Sequence, residues 1–391
     1  MKFASAHSTI TDLAEAVERA CAEILKTLDG VPADLAMVFV TGKSQDDLGL
    51  EIRKHLGSQV TVLGTTAEGV IGTGVEFESK PALSLWAASL PGVQLLPFHV
   101  TFSRTPDGIA QTGLPAAEAT DFTPSAAFVF GDPFTTATDS LIEIWEEEFP
   151  GMPIMGGMAS AGSEPGENRL YWNDETFDEG AVGLFIGGAV RVRPIVSQGC
   201  RPVGWPLVVT KAQGNFLLEL GGKPATEKLG EVFHELSGND QRLFQSGPFV
   251  GLALNEYQSE FKRGDFLISS LVGIDPKYAV IAIGNAARIG QTIQFHVRDA
   301  NTADEDLRVL LQGAIDDGPT PQGALVFSCN GRGTRMFPGP HHDAGVLREL
   351  AGPIASAGLF AAGELGPVTG RNYMHGFTAS IALFCDPDNT P

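Results

Sequence analysis

Three segments of this 391-residue chain share one order of features: an apolar strand, a helix, a loop of small residues and a second apolar strand. The strands and small-residue loops fall at residues 36–40, 63–69 and 82–86, at 126–130, 155–162 and 181–185, and at 324–328, 360–366 and 378–382. Recurrence of this kind is typical of folds built from divergent copies of one supersecondary unit. The turn after the carboxyl end of a strand is also where ligands approach the backbone in such units.

The chain between the second and third segments has a different texture. Residues 190–297 contain strand-like stretches separated by turn residues, and 292–297 alternates strictly between apolar and polar positions. That alternation is typical of a half-solvated antiparallel strand. An amphipathic pattern also predicts a helix over residues 13–28. The predicted fold class is therefore α/β: a mixed-sheet sandwich of three divergent strand-helix-strand repeats with an inserted, mostly antiparallel β module.

Composition excludes several classes of partner. The formal net charge of −21 opposes binding to nucleic acid or to an anionic membrane surface. The four cysteines are dispersed without a C-x-x-C pair, which favours a reducing compartment and no zinc site. The amino terminus lacks the apolar core of a signal peptide, and the apolar runs are too short to span a bilayer. We expect a cytoplasmic protein with no membrane insertion, no metal and no cofactor.

The third segment carries the densest group of chemically useful residues. Cys329 and Asn330 follow its first strand, and Gly331 and Gly333 permit close backbone approach. Arg332 or Arg335 offers a planar fork suited to a carboxylate, while Glu364 can take an ammonium group. An arginine and a glutamate across one glycine-lined pocket are the minimum needed to hold a zwitterion. The alternative is that Arg332 and Glu364 pair with each other or cap helix ends.

Other residues extend this group. Glu68 occupies in the first segment the position that Glu364 has in the third, so we include it among the ligand-binding residues. Arg201, within a rigid Gly/Pro turn, is either a second anion contact or a structural bridge. Cys329 lies close in sequence to His341 and His342, which leaves open a nucleophilic thiol. No third, orienting group is fixed by the sequence.

Four motifs together resemble the FIST family, named for F-box and intracellular signal transduction proteins. They are residues 196–204, 209–215, 329–333 and 363–367, and the resemblance covers about 34–383. It implies a FIST N-like domain over 1–189 and a FIST C-like domain over 190–391. It also implies an intracellular sensory region that binds small ligands such as amino acids. In bacteria, family members are fused to kinases, cyclases or chemoreceptor signalling parts.

Three functions follow for this chain. The first is a cytoplasmic sensory protein that binds a small metabolite, an amino acid or small carboxylate, and contributes to signal transduction with a signalling kinase, cyclase or chemoreceptor protein. Its pocket would contain Cys329, Asn330, Arg332 and Glu364, with Arg201 and Glu68 added. The second is a thiol-dependent enzyme using Cys329, and the third is a protein-protein interaction scaffold in signalling. Whether the protein is an enzyme is left open, with the non-enzymatic sensor preferred.

Overall fold

The computed structural model describes residues 1–42, 46–106, 108–117, 120–258, 260–261 and 264–387. The α-helices of these residues are α1 Leu13–Leu28, α2 Leu48–Leu56, α3 Thr138–Glu148, α4 Ala225–Glu235, α5 Gly238–Gln245, α6 Ala300–Asp316 and α7 His342–Ala351. The strands are β1 Lys2–Ser8, β2 Leu35–Thr41, β3 Thr61–Ala67, β4 Gly69–Gly72, β5 Val75–Glu78, β6 Leu83–Ser89, β7 Val93–Thr105, β8 Gly108–Thr112, β9 Pro124–Gly131, β10 Ile154–Met158, β11 Leu170–Trp172, β12 Glu175–Phe177, β13 Ala181–Gly188, β14 Arg191–Gln198, β15 Cys200–Gln213, β16 Phe216–Leu220, β17 Lys223–Pro224, β18 Phe249–Ala253, β19 Phe266–Asp275, β20 Val280–Ile283, β21 Thr292–Arg298, β22 Pro321–Cys329, β23 Ala355–Ala361, β24 Glu364–Val368, β25 Arg371–His375 and β26 Thr378–Cys385. The predicted mixed α/β class is confirmed.

The chain folds as two compact units. The first comprises Met1–Ser197, Leu307–Met374 and the segment from Thr378 onward, and the second comprises Gln198–Asp306 with His375–Phe377. The sequence-based boundary between residues 189 and 190 stays a prediction.

The first unit contains three mixed sheets with one shared plan. Their strand orders are β1-β6-β2-β3-β11-β12, β25-β24-β10-β9-β13-β7-β8 and β14-β26-β22-β23-β4-β5. In each, a parallel pair (β2 with β3, β9 with β10, β22 with β23) has an antiparallel strand (β6, β13, β26) on one side. The helix between the two parallel strands supplies the crossover that such a pair requires. That the three segments are copies of one ancestor stays a prediction.

Each sheet is completed by a hairpin from another segment. The β4–β5 hairpin follows β3 in the chain but joins β23, the β11–β12 hairpin joins β3, and the hairpin beginning with β24 joins β10. Each of the three segments contributes one hairpin to the sheet of another segment, and each sheet receives one hairpin. The exchange therefore forms a closed cycle. The three segments are therefore tied together through backbone hydrogen bonds as well as through apolar packing.

The small-residue segments differ from the prediction, because much of each is a strand. Gly64 and Gly156, within the predicted loops, pair in register with a valine of the neighbouring parallel strand, and Gly358 does so just before the third predicted loop. A Cβ atom at these glycines would lie only 1.8–2.0 Å from that valine's carbonyl oxygen. Glycine is thus required by close strand approach at all three positions.

The core of the first unit lies between the inner faces of its sheets. Phe39 of β2, Phe130 of β9 and Phe327 of β22 meet there, with ring centroids 5.3–6.3 Å apart in edge-on arrangements. Helices cover the outer faces. Helix α1, for example, buries Ala16, Val17, Ala20, Cys21, Ile24 and Leu28. Asp12 caps it by accepting the Glu15 N–H at 3.0 Å, so the predicted helix over 13–28 is confirmed.

The second unit is an antiparallel sheet closed on itself. Strand β15 pairs with β21 on one side and with β16 on the other, and β18, β19 and β20 complete the circuit. Every strand pairing described in this unit is antiparallel. The predicted antiparallel character of the β module is thereby confirmed.

Candidate functional site

The loops that follow the central strands of the first unit converge. Glu68 links β3 to β4, and its N–H donates to Ser160 Oγ at 2.9 Å. Ser160, which follows β10, donates in turn to the carbonyl oxygen of Phe360 in β23. Residues from all three sheets are therefore in hydrogen-bond contact, and this places Glu68 near the loop that begins after Cys329.

Arg332 lies entirely beneath the surface. Its side chain is 0% exposed, and its Nε and Nη2 each donate to a different oxygen of Asp343 at 2.8 Å. Asp343, in the first turn of α7, also accepts Ser328 Oγ at 2.5 Å. The guanidinium lies 5.2 Å from the ring centre of Phe337. This bidentate pair ties the loop after β22 to the start of α7.

The titration of the surrounding carboxyl groups is strongly perturbed. Burial opposes ionisation of Asp343, but the charge of Arg332 and the His342 hydrogen bond hold its pKa well below the ordinary value. Burial raises the pKa of Glu364 well above its ordinary value, although Thr378 N–H, Cys329 and Arg332 favour the charged form. Burial and the Asp343 charge raise the pKa of Glu76 to about 7. Because burial favours the protonated forms of Glu364 and Glu76, less negative charge surrounds the Arg332 guanidinium.

Cys329 and Glu364 are neighbours in this buried group. Cys329 is 6% exposed, and its side chain hydrogen-bonds that of Glu364. The Gly331 N–H donates to Cys329 Sγ at 3.5 Å. Oε2 of Glu364 accepts the Thr378 N–H at 3.2 Å, whereas its buried Oε1 has no hydrogen-bond partner among the described residues. The thiol and the carboxyl support the loop from below.

A cavity of about 180 Å³ opens above this buried group. Its lining residues are Glu68, Gly69, Glu78, Ser79, Asn330, Thr334, Arg335 and Phe360. Both terminal nitrogens of Arg335 donate hydrogen bonds to the Glu68 carboxylate, with Nη1 to Oε2 at 3.0 Å. Arg335 Nη1 also donates to the carbonyl oxygen of Asn330 at 2.8 Å. Asn330 Nδ2 lies 3.5 Å from Glu68 Oε2. The paired Arg335 and Glu68 side chains remain 53% and 36% exposed, respectively, so a solute can reach both charges.

Glu78 fixes the opposite side of the cavity. Its carboxylate accepts the N–H of Thr334 at 3.1 Å and the Thr334 hydroxyl at 2.9 Å. Gly333 has φ +55°, and a Cβ atom there would lie 2.6 Å from Glu78 Oε2. Glycine is therefore needed both for the left-handed backbone and for the approach of Glu78. The resulting 3₁₀ turn, Gly333–Arg335, carries Arg335 to the cavity.

A second cavity, of about 410 Å³, shares Glu68 and Ser79 with the first. Its lining includes the buried residues Ala16, Val40 and Leu83. The two cavities are thus adjacent along the wall formed by Glu68 and Ser79.

The structure brings together five of the six predicted site residues. Cys329, Asn330, Arg332, Glu364 and Glu68 belong to one group of contacts in the first unit. Arg201 belongs to the second unit, where it pairs with Asp240 at 2.5 Å and Asp299 at 2.9 Å.

Some residues of the group were not identified from the sequence. Glu76 and Glu78 lie in β5, whose hairpin reaches this place only through the exchange between segments. No local motif marks them. Asp343, the buried partner of Arg332, was not among the predicted site residues either. His341, a candidate partner of the thiol, accepts the Glu76 N–H through Nδ1 at 2.9 Å, and His342 Nδ1 lies 2.8 Å from Asp343 Oδ1.

Comparison with known proteins agrees with the resemblance seen in the sequence. Residues 34–223 match the FIST N domain and residues 225–367 match the FIST C domain. An uncharacterized protein of Mycobacterium tuberculosis is 37% identical over 390 residues, covering 99% of this chain and all of the relative. One of Mycobacterium bovis is 37% identical over 382 residues, covering 97% of each chain.

Among solved structures, the chain is similar to PurLQS from Thermotoga maritima at 11% identity. The match covers 98% of this chain and 72% of that one with a TM-score of 0.24, a likeness too low to support any conclusion. Within the described part of the chain, no helix is both long and apolar enough to cross a membrane. The two domain matches and the full-length relatives show that the chain belongs to the FIST family, whose domains imply a sensory role in signal transduction.

Proposed function

We propose that this protein is a sensor that binds a small zwitterionic metabolite, an α-amino acid, in the 180 Å³ cavity. The observation that carries the proposal is the meeting of Arg335, Glu68 and Glu78 around one accessible hollow. Arg335 would take the carboxylate of the ligand as a planar fork. Glu68 and Glu78 would take its ammonium group, with Asn330 adding hydrogen bonds.

Charge favours an amino acid over a simple carboxylate. Among the residues that the structure describes, the charged side chains lining the cavity are two carboxylates and one guanidinium, an excess of one negative charge. A ligand that brings only negative charge would add repulsion from both glutamates, whereas an ammonium group offsets the excess. An amino acid satisfies both signs at once.

The size and exposure of the site support the same conclusion. The cavity, at about 180 Å³, is smaller than the roughly 300–1,000 Å³ of pockets for drug-sized ligands, which suits a smaller metabolite. The Arg335–Glu68 pair is accessible to solvent, and such pairs contribute about 0–1 kcal/mol to stability. A ligand can therefore rearrange it at little cost.

Arg332 and Glu364 have a positioning role in this proposal. Arg332 donates two hydrogen bonds to Asp343 beneath the loop, and Glu364 is fully buried beside Cys329. They hold Asn330 and Arg335 in place, so Arg335 rather than Arg332 contacts the ligand. The signal would pass to a separate signalling protein of the kinase, cyclase or chemoreceptor class, in the cytoplasm.

The proposal is tested by a thermal-shift screen of amino acids and small carboxylates, followed by calorimetric titration of the hits. A true ligand at a hundred times its dissociation constant stabilises the folded protein by about 2.7 kcal/mol. Arg335→Met and Glu68→Gln should each weaken binding roughly tenfold or more, since hydrogen bonds to charged groups contribute about 1.5–3 kcal/mol. The matched control is Arg308→Met, which breaks the exposed Arg308–Glu349 pair and should leave affinity unchanged. Equal affinities for Arg335→Met and wild type would refute the proposal.

The thiol-dependent enzyme stays a separate prediction, favoured by the Gly331 N–H, which donates to Cys329 Sγ at 3.5 Å and would stabilise a thiolate. Alkylation with iodoacetamide, followed over a range of pH, tests it. If the protein is only a sensor, Cys329→Ser should keep the amino-acid affinity within about threefold, since the thiol lies below the cavity. A thiol that reacts as a thiolate at neutral pH would support the enzyme instead.

A further inference from the structure

We infer that the 410 Å³ cavity receives the side chain of the bound amino acid, so that the protein selects large apolar amino acids of the leucine or phenylalanine class. This inference rests on the proposed function, because it uses the same bound molecule. The observation behind it is that the two cavities share two wall residues, Glu68 and Ser79. A ligand whose ammonium group is held by Glu68 has its side chain next to the second cavity.

The two cavities differ in chemistry. The smaller one contains the Arg335 guanidinium and the Glu78 carboxylate. The larger one is lined mostly by apolar residues, among them Ala16, Val40 and Leu83, and also by Thr11, Thr41 and Lys80. A charged cavity for the ammonium and carboxylate groups beside a mostly apolar cavity matches an amino acid with an apolar side chain.

The apolar part of this lining is made of rigid elements. Val40 belongs to β2, Leu83 to β6, and Ala16 to α1, whose start is fixed by the Asp12 cap. Because these elements pack against one another in a single apolar cluster, the pocket is formed before any ligand arrives. Preformed apolar pockets lose little affinity to ordering of the protein.

The discrimination expected from this pocket is large enough to measure. Each buried methylene contributes about 0.8 kcal/mol, or roughly fourfold in affinity. L-Leucine has three more carbons than L-alanine, so complete burial would give roughly fiftyfold tighter binding. The pocket is wider than a leucine side chain, and we therefore expect at least tenfold.

Calorimetric titration of the full-length protein with L-alanine and L-leucine tests the inference, with Ala16→Leu as the variant. The new side chain would fill the pocket, so leucine affinity should fall about tenfold toward that of alanine while alanine affinity is unchanged. Ala14→Leu makes the same change at an exposed position of α1 and should alter neither affinity.

The outcomes separate this inference from the proposed function. Equal affinities for L-alanine and L-leucine in the wild type would refute the inference that the larger cavity binds the side chain. They would not contradict binding of the ammonium and carboxylate groups in the smaller cavity. Unchanged leucine affinity in folded Ala16→Leu would do the same. If no amino acid binds at all, the proposed function itself fails. Should Ala16→Leu not fold, the wild-type comparison of the two ligands decides alone.

Discussion

Replacing Arg332 with methionine should destabilise the first unit by about 3–5 kcal/mol. The change keeps an unbranched apolar stem but removes both 2.8 Å hydrogen bonds to Asp343. Asp343 is 1% exposed, so its carboxylate would be left without its counter-charge inside the protein. Removing one partner of a buried ion pair costs about this much because the other charge stays desolvated.

Calorimetry and urea unfolding measure the effect. At roughly 2 °C for each kcal/mol, the melting temperature should fall by about 6–10 °C. The loss should also depend on pH. In the wild type the pKa of Asp343 is depressed by folding, so its contribution is complete above the unfolded pKa near 4 and is lost as pH falls through the folded value. In the variant Asp343 must bind a proton to fold, so the deficit should widen as pH rises above about 4.

Two controls make this result decisive. Adding Asp343→Asn to Arg332→Met removes the stranded charge but keeps an acceptor for Ser328, so the double variant should regain part of the stability. Arg335→Met, three residues away in an exposed pair, should cost less than about 1 kcal/mol. A melting temperature for Arg332→Met within 2 °C of the wild type at pH 7 would show that the buried pair does not hold the loop.

Two further predictions concern neighbouring residues. The folded pKa of Glu76, about 7, lies above its unfolded value near 4.3, so the folded state holds an extra proton and stability falls by about 4 kcal/mol as pH rises through that window. Glu76→Gln should flatten the urea-derived stability curve there, and an unchanged slope would contradict the assignment. Gly333→Ala should lower stability by about 1–3 kcal/mol, since its Cβ would meet Glu78 at a positive φ. Gly339→Ala, with open space around its Cβ, is the control and should melt like the wild type.

The sequence predicts local structure well where all the signals for a helix or strand lie within that element. Helix α1 begins and ends at the predicted residues because its apolar stripe and its Asp12 cap are both local signals. The small-residue segments were assigned to loops because glycine usually marks turns. Gly64 and Gly156 instead occupy strands, where the neighbouring carbonyl leaves no space for a Cβ atom. That contact depends on the partner strand, which lies outside the segment itself.

The sequence indicated which residues lie together in the candidate site, but not what each of them does there. Arg332 and Arg335 lie three residues apart in one short glycine-containing loop, and no local signal shows which of them points inward. Only the fold directs the first inward to Asp343 and the second outward to Glu68. Glu78 lies in the β4–β5 hairpin, which pairs with β23 instead of the sheet of its own segment. Apolar periodicity does not encode this long-range pairing.

The cyclic exchange of hairpins has a consequence for biosynthesis. Ile71 pairs with Gly358, so the sheet that receives the first hairpin cannot be completed until nearly the whole chain has left the ribosome. Until then the hairpin of residues 69–78 presents unpaired strand edges, which invite association with other nascent chains. Efficient production of this protein should therefore depend on shielding its amino-terminal half during translation, and truncation after the second segment should yield insoluble material.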